Sequence, residues 1–357
     1  MTYVRGNIAA MQGYTWGEQP QDPRTIKLNT NENPYPASPA VQAALAAFGV
    51  DALRRYPEPT ARRLREALAN LHGLTPEHFI VTNGGDEALR LALTTFVDPG
   101  ATFSMATPSY SLYSVLAQIQ DAKLHSVPLL PDWTMPADIG AQFKAAGTRL
   151  ACLVNPHAPS GSLTSPATYG AIAAAMDGVL LVDEAYVDFV DPARGHDATA
   201  LVREHDNVLL LRTFSKGYGL AGLRLGYLVG TPALIEPMMW KTRDSYNING
   251  LSQALGLAAI GDQAYARETW AKVRGERARI AAVLENLALP SPPSESNFLL
   301  VTVTGGPEAA RALYEGLKAS HILVRYFDTP ELADKLRITI GTPAENDALV
   351  TTLKALL

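Results

Sequence analysis

The chain has 357 residues, with 30 Lys plus Arg against 35 Asp plus Glu and a formal net charge of -5. That length allows about two domains around a large core, and a mild negative balance without blocks of like charge argues against nucleic acid and anionic membrane as partners. The single cysteine, Cys152, lies in the apolar run RLACLV, so no intrachain disulfide is available, and with no apolar leader or membrane-length segment a cytoplasmic location is expected.

The first forty residues read as irregular, because LNTNENPYPASP (Leu28 to Pro39) crowds proline and asparagine into a stretch that neither helix nor central strand tolerates. VQAALAAF then reads as a short helix, and RRYPEPTARRLREALANL as a turn leading into a longer one. From residue 79, apolar runs alternate mostly with helical patterns: FIVT (79–82), TFSMA (102–106), LHSVPLL (124–130), LACLV (150–154), VLLVD (179–183), VLLLR (208–212) and LGYLV (225–229). Strands buried on both faces and separated by helices predict an α/β fold, a mostly parallel seven-stranded sheet flanked by helices. LGYLV follows its predecessor too closely for a crossover helix, so it is expected to run antiparallel.

Beyond residue 250 a long helical pattern is interrupted near Gly261, and SPPSES reads as a boundary. A strand (NFLLVTV), a helix, the strands ILVRYF and KLRITIG and a closing helix follow. The expected division is a large α/β domain over residues 40–262 and a smaller α+β domain, residues 263–357, packed with an N-terminal arm, residues 1–39.

Four of the apolar runs end in polar residues: FIVT in Asn83, Gly84, Gly85 and Asp86; LACLV in Asn155; VLLVD in Asp183, with Tyr186 beyond; VLLLR in Thr213, Ser215 and Lys216. Open α/β sheets bind ligands at the carboxyl ends of their strands, so these distant segments are expected to converge. Gly84 and Gly85 at a helix start offer N–H groups to an anion. Thr213, Ser215 and Arg224 add hydroxyls and a guanidinium. Asp183 closes an apolar strand and needs a cationic partner. Asn155 and Tyr186 suit a phenolate-type oxygen, and Tyr110 in TPSYSLY offers a ring face. Lys216 is either a second point charge or an amine that forms a Schiff base. A phosphorylated aromatic aldehyde with a protonated ring nitrogen meets every requirement, and pyridoxal 5'-phosphate is such a molecule. Gly217, Gly219 and Gly222 also spell G-x-G-x-x-G, but the strand LGYLVG returns at once, without the helix and acid of a dinucleotide site. The seven histidines show no metal spacing, so no metal is expected and they read as structural or exposed.

LNTNENPYP, RYPEP, NGGDE, NPHAPSG, DEAY, TFSKGYGLAGLRLGY, SNFLLV and VRYF…LRITIGT occur in an order that resembles fold-type-I pyridoxal-phosphate aminotransferases, and among them the histidinol-phosphate aminotransferase family. The resemblance implies an aspartate-aminotransferase-like fold and transfer of an amino group between a primary amine and a 2-oxo acid. Histidinol phosphate and 2-oxoglutarate/glutamate are the implied pair, in histidine biosynthesis. It implies that Lys216 carries the cofactor and moves the proton, that Asp183 pairs with the ring nitrogen, and that Asn155 and Tyr186 bond the ring's 3-oxygen. Tyr110 would stack on the ring, and Gly85, Asp86, Thr213, Ser215 and Arg224 would surround the phosphate. Tyr56, in RYPEP, would reach the phosphate in the partner subunit of a homodimer with shared sites. Arg337 would grip the substrate's anionic end, Arg325 and Tyr14 would bind substrate phosphate, and Asn33 would line the same pocket. His157 and Ala158 stand where asparagines are usual, and Ser245 where a proline commonly precedes YN, which bears on substrate choice. Transamination of aromatic or other amino acids, and decarboxylation of a phosphorylated amino acid, stay open on this pattern.

Overall fold

The seven apolar runs each form a strand, because a run without polar residues is stable only where both faces of the sheet are covered. The computed structural model describes residues 3–357. Its large sheet contains β1 (Phe79–Thr82), β2 (Thr102–Thr107), β3 (Lys123–Pro128), β4 (Thr148–Val154), β5 (Val179–Asp183), β6 (Val208–Thr213) and β7 (Gly226–Gly230), in the order β1-β7-β6-β5-β4-β2-β3. All neighbours are parallel except β7, which runs antiparallel to both β1 and β6, as the short connection requires. The edge strand β3 departs from the buried pattern expected of it: most of its residues are exposed, and only Val127 is buried. β4, β5 and β6 are adjacent, so their carboxyl ends meet in the middle of the sheet, with Val154 beside Asp183 and Asp183 beside Leu211.

Alternate residues of these strands feed two cores. Val81, Leu153, Val182 and Leu210 pack on one face with the helices Arg62–His72 and Gly250–Gly261. Ile80, Cys152, Leu181 and Leu211 pack on the other with Gly84–Phe96 and Leu112–Gln120. A third core unites Leu28, Val273, Ile280, Leu299, Ile338 and Leu349 around a small antiparallel sheet. That sheet is β8 (Phe298–Thr302), β9 (Arg325–Tyr326) and β10 (Lys335–Thr339), in the order β9-β10-β8.

Two readings of the sequence change in detail, and a third gains one. ILVRYF is two strands rather than one: Ile322–Leu323 pairs in parallel with Ile26–Lys27, and β9 joins the small sheet after the buried Val324. The N-terminal arm does not rest on the small sheet alone. Its short helix Gly6–Ala10 lies against Leu112–Gln120, where Arg5 Nη2 donates to the Ile119 carbonyl and Asn7 Nδ2 to that of Gln118, both at 2.9 Å. SPPSES lies between the helix Gln263–Asn286 and β8, as read, and is held firmly. Glu295 pairs with Arg277 and Arg194, each at 2.9 Å, and its N–H donates to the Gly161 carbonyl at 2.8 Å. The interruption at Gly261 separates the helices Gly250–Gly261 and Gln263–Asn286. Among the described residues no helix is long and apolar enough to cross a membrane.

Candidate active site

Gly84 and Gly85 open the helix Gly84–Phe96 directly after β1. Gly84 takes φ +80°, and a Cβ there would stand 2.7 Å from Arg224 Nη2, so only glycine admits the guanidinium so close. Gly226 of β7 lies under the same turn: a Cβ on it would press the Gly84 carbonyl carbon at 2.9 Å. Arg224 itself has φ +55° and points back to Asp86, with Nη2 3.3 Å from Oδ2. The Thr213 hydroxyl accepts the Ser215 N–H at 3.1 Å and donates to the Leu225 carbonyl at 3.2 Å, which holds the loop after β6 in a tight turn. Unpaired helix N–H groups, a hydroxyl and a guanidinium thus surround one spot, an arrangement suited to an anion.

Asp183 ends β5 with 4% of its surface exposed. Its Oδ2 accepts the Tyr113 hydroxyl at 2.7 Å and its Oδ1 accepts the Ala185 N–H at 3.1 Å. The cationic partner expected from the sequence is absent from its bonds. Burial pushes the carboxyl up to about 6, against the pull of Tyr113 and Ala185. Tyr186 is buried with its ring edge on Phe298, and its hydroxyl accepts from Asn31 Nδ2 at 3.0 Å. Asn155 is locked by Thr164: Oδ1 accepts the Thr164 N–H at 2.9 Å and Nδ2 donates to its carbonyl at 3.1 Å, so the second Nδ2 hydrogen is left for the site. Lys216 Nζ donates to the Thr30 carbonyl at 2.8 Å. Burial, followed by the neighbouring Arg337, brings its amine down to about 8. The next carbonyl, that of Gly217, accepts from Trp270 Nε1 at 2.7 Å and Asn33 Nδ2 at 2.9 Å.

A wall of cations faces this floor. Arg325 and Arg337 are cross-strand partners on β9 and β10. Arg337 lies 5.2 Å from the Phe298 ring and 5.6 Å from that of Phe327, and Arg325 lies 5.5 Å from Phe327. Arg337 Nη2 donates to the Asn29 carbonyl at 3.1 Å, while its buried Nε has no partner among the described residues. Neither arginine forms an ion pair with an acid among the described residues. Burial and the nearby Arg325 both lower the Arg337 value from its ordinary range. Tyr14 joins from the N-terminal arm, its ring edge-on to Tyr110 at 5.8 Å, and Tyr110 in turn meets Tyr113 edge-on at 5.5 Å.

The structure therefore brings together Gly84, Gly85, Asp86, Tyr110, Asp183, Tyr186, Lys216, Arg224 and Arg337, with Tyr14 at the edge. Two residues stand apart. Asn33 uses its amide on Gly217 and its Oδ1 on the Tyr35 N–H, which makes it a brace for the loop after Lys216. Tyr56 is 81% exposed and stacks on Tyr246 at 4.5 Å, away from every other site residue of this chain. His157 is buried against Ser160 and the Pro108 carbonyl, and burial drops it to about 4. Tyr113 and Asn31, which hold the two central groups, are not singled out by the sequence pattern. Among the described residues no cluster of His, Cys, Asp or Glu is arranged to hold a metal.

The family described as "Aminotransferase class I and II" matches residues 23–353. The chain belongs to that family. This aminotransferase is 42% identical to histidinol-phosphate aminotransferase 1 of Trichormus variabilis over 99% of each chain. It is 41% identical to the histidinol-phosphate aminotransferase of Geotalea daltonii, again over 99% of each. Histidinol-phosphate aminotransferase from Sinorhizobium meliloti, solved in complex with pyridoxal-5'-phosphate, superposes with a TM-score of 0.91 at 26% identity, covering 100% of this aminotransferase and 99% of that chain.

Proposed function

We propose that this aminotransferase exchanges an amino group between histidinol phosphate and 2-oxoglutarate, in histidine biosynthesis, with pyridoxal phosphate as cofactor. The observation that carries the reading is the Arg325–Arg337 pair: two guanidiniums in register on adjacent strands, without an acid between them. Like charges so placed repel, and a phosphate on the substrate offsets the repulsion and matches the guanidinium fork. The names of the relatives at 41–42% identity support the same substrate.

The residues present fit the cofactor. Asp183 is a buried acid that lacks a cation, and a protonated ring nitrogen is the group that completes it. Tyr186 and the free Nδ2 hydrogen of Asn155 would hold the ring's 3-oxygen, and Tyr110 its face. Gly84 and Gly85 N–H groups, Thr213, Ser215 and Arg224 would hold the phosphate, with Asp86 steering Arg224. When bound, the cofactor supplies an electron sink for the charge left at the substrate carbon. With its amine brought down to about 8, Lys216 gives up its proton far more readily than an ordinary lysine, and its Nζ would carry the proton away from that carbon and return it. Asp183 would keep the ring nitrogen charged, and Arg337 and Arg325 would orient the anionic end of the substrate.

Three further readings belong to the proposal. Residues 40–262 form the large domain, with a core on each face of its sheet, and residues 263–357 with the arm form the small one around the third core. Two copies share their sites through Tyr56, whose exposed ring, near the exposed Val50 and Leu53, gives an apolar surface for a second copy. The lone, fully buried Cys152 suits a reducing cytoplasm.

The test is substrate choice. Histidinol phosphate and glutamate should each convert the enzyme's bound cofactor rapidly, and phenylalanine and arginine slowly. Arg325→Ala should raise KM for histidinol phosphate about 10- to 100-fold, the loss of a charged hydrogen bond, and change that for glutamate far less. Equal effects on both substrates would remove Arg325 from phosphate recognition. Inert histidinol phosphate would overturn the substrate.

A further inference from the structure

We propose that Asn31 fixes the direction of the Tyr186 hydroxyl proton and so acts as a positioning residue for the ring oxygen of the cofactor. The inference rests on the cofactor reading above. Asn31 belongs to the proline-rich loop of the arm, yet it is 1% exposed and has φ +57°, a conformation that asparagine tolerates better than most residues.

Its hydrogen bonds leave it one orientation of use. Thr339 Oγ1 accepts the Asn31 N–H at 3.0 Å and donates to Asn31 Oδ1 at 3.0 Å. The Asn31 carbonyl accepts from Asn297 Nδ2 at 3.0 Å. With Oδ1 taken by Thr339, the Nδ2 group faces Tyr186 and donates to its hydroxyl at 3.0 Å. A phenol has one hydrogen. Since Tyr186 accepts from Asn31 and donates to no group among the described residues, that hydrogen is free for an acceptor in the site. Burial raises the Tyr186 value, while Arg337 and the Asn31 bond pull it back, so the phenol stays protonated and able to donate.

The same loop ties the other groups in place. Asn29 presents its carbonyl to Arg337, Thr30 to Lys216, and Asn33 braces Gly217. Asn31 alone contacts a group assigned to the cofactor through a side-chain donor, and it joins β10 to Tyr186 across the two sheets.

Asn31→Asp keeps the shape and the Thr339 bond but replaces the donor with an acceptor, so the phenol turns its hydrogen toward residue 31. The readout is equilibrium binding of pyridoxal phosphate, and of its 3-deoxy analogue, to cofactor-free protein. Asn31→Asp should weaken pyridoxal phosphate about 10- to 100-fold and leave the analogue unchanged. In a Tyr186→Phe background the same change should add no further selective loss. Equal weakening of both ligands would reduce Asn31 to a structural brace and overturn the proposal. A selective loss that persists without the Tyr186 hydroxyl would overturn it as well. Should the aspartate variant fail to fold, Asn31→Gly, which suits the positive φ, removes the donor without supplying an acceptor and should give a smaller loss confined to pyridoxal phosphate, equal weakening of both ligands overturning the proposal. Tyr186→Phe alone is the separate check on the cofactor reading: if it fails to discriminate between the two ligands, Tyr186 does not meet the ring oxygen and both readings fall.

Discussion

Asp183 and Glu184 are consecutive acids, both buried, and the pleat of β5 sends them to opposite faces of the large sheet. On the face of Glu184, Arg212 Nη2 stands 2.8 Å from one carboxylate oxygen and His196 Nε2 3.1 Å from the other. Burial works to raise Glu184, but Arg212 and His196 outweigh it and hold the carboxyl below its ordinary value. On the face of Asp183 there are only neutral donors, and burial prevails, to about 6. The protein completes one acid with its own cations and leaves the other incomplete. An ion pair of the first kind serves the fold, and an acid of the second kind suits a cationic ligand.

Removing one partner from the completed side should do the most damage. Glu184→Ala leaves Arg212 buried without its carboxylate and should destabilise the protein by about 3–5 kcal/mol, read as a lower denaturant midpoint. A loss near zero would mean that water replaces the pair and that the contrast between the two faces is false.

Asp183→Asn should do the reverse in cofactor-free protein. The folded carboxyl titrates at about 6 rather than 3.8, so the folded state holds its proton more tightly than the unfolded chain does. Asp183 therefore favours folding most at pH below about 4, and that contribution is lost as pH rises through about 6. Asp183→Asn should accordingly gain relative to the unsubstituted protein across that window, reaching about 2–3 kcal/mol above it. Glu184 has the opposite sign: its contribution is full above 4.5 and falls away at acid pH. Denaturation series from pH 4 to 8 test both, and a pH-independent difference for Asp183→Asn would remove the incomplete acid.

The smallest effect belongs to Tyr113→Phe. Without the 2.7 Å hydroxyl, Asp183 loses a donor that favours its charged form, so the window just described should move to higher pH. The stability change itself should be about 1–2 kcal/mol. An unmoved window would mean that Tyr113 only fills space.

The large sheet was legible because parallel strands buried on both faces read as unbroken apolar runs, and the first polar residue after each run marks its carboxyl end. That is how Asp183, Asn155, Thr213 and Lys216 announce themselves. Tyr113 does not, since an aromatic residue three positions after Tyr110 at a helix start looks like packing. Asn31 was hidden for another reason: three asparagines crowd residues 29–33, and nothing local says which one turns toward Tyr186. Its partners, Thr339 and Tyr186, are 308 and 155 residues away. SPPSES reads as a boundary and does separate the helix Gln263–Asn286 from β8, but its pattern does not show that Glu295 meets Arg194 and Arg277. ILVRYF misled because a run of strand-forming residues with no turn signal inside it does not reveal that the chain changes sheets at Val324.

The bond from Trp270 to the Gly217 carbonyl has an optical consequence. Indole emission depends on what its N–H touches, and this indole touches the residue after Lys216 at 2.7 Å. Of the four tryptophans, Trp16 and Trp240 lie largely exposed on the surface. In a chain that keeps only Trp270, fluorescence becomes a label-free gauge of the loop that carries Lys216, built into the long helix Gln263–Asn286.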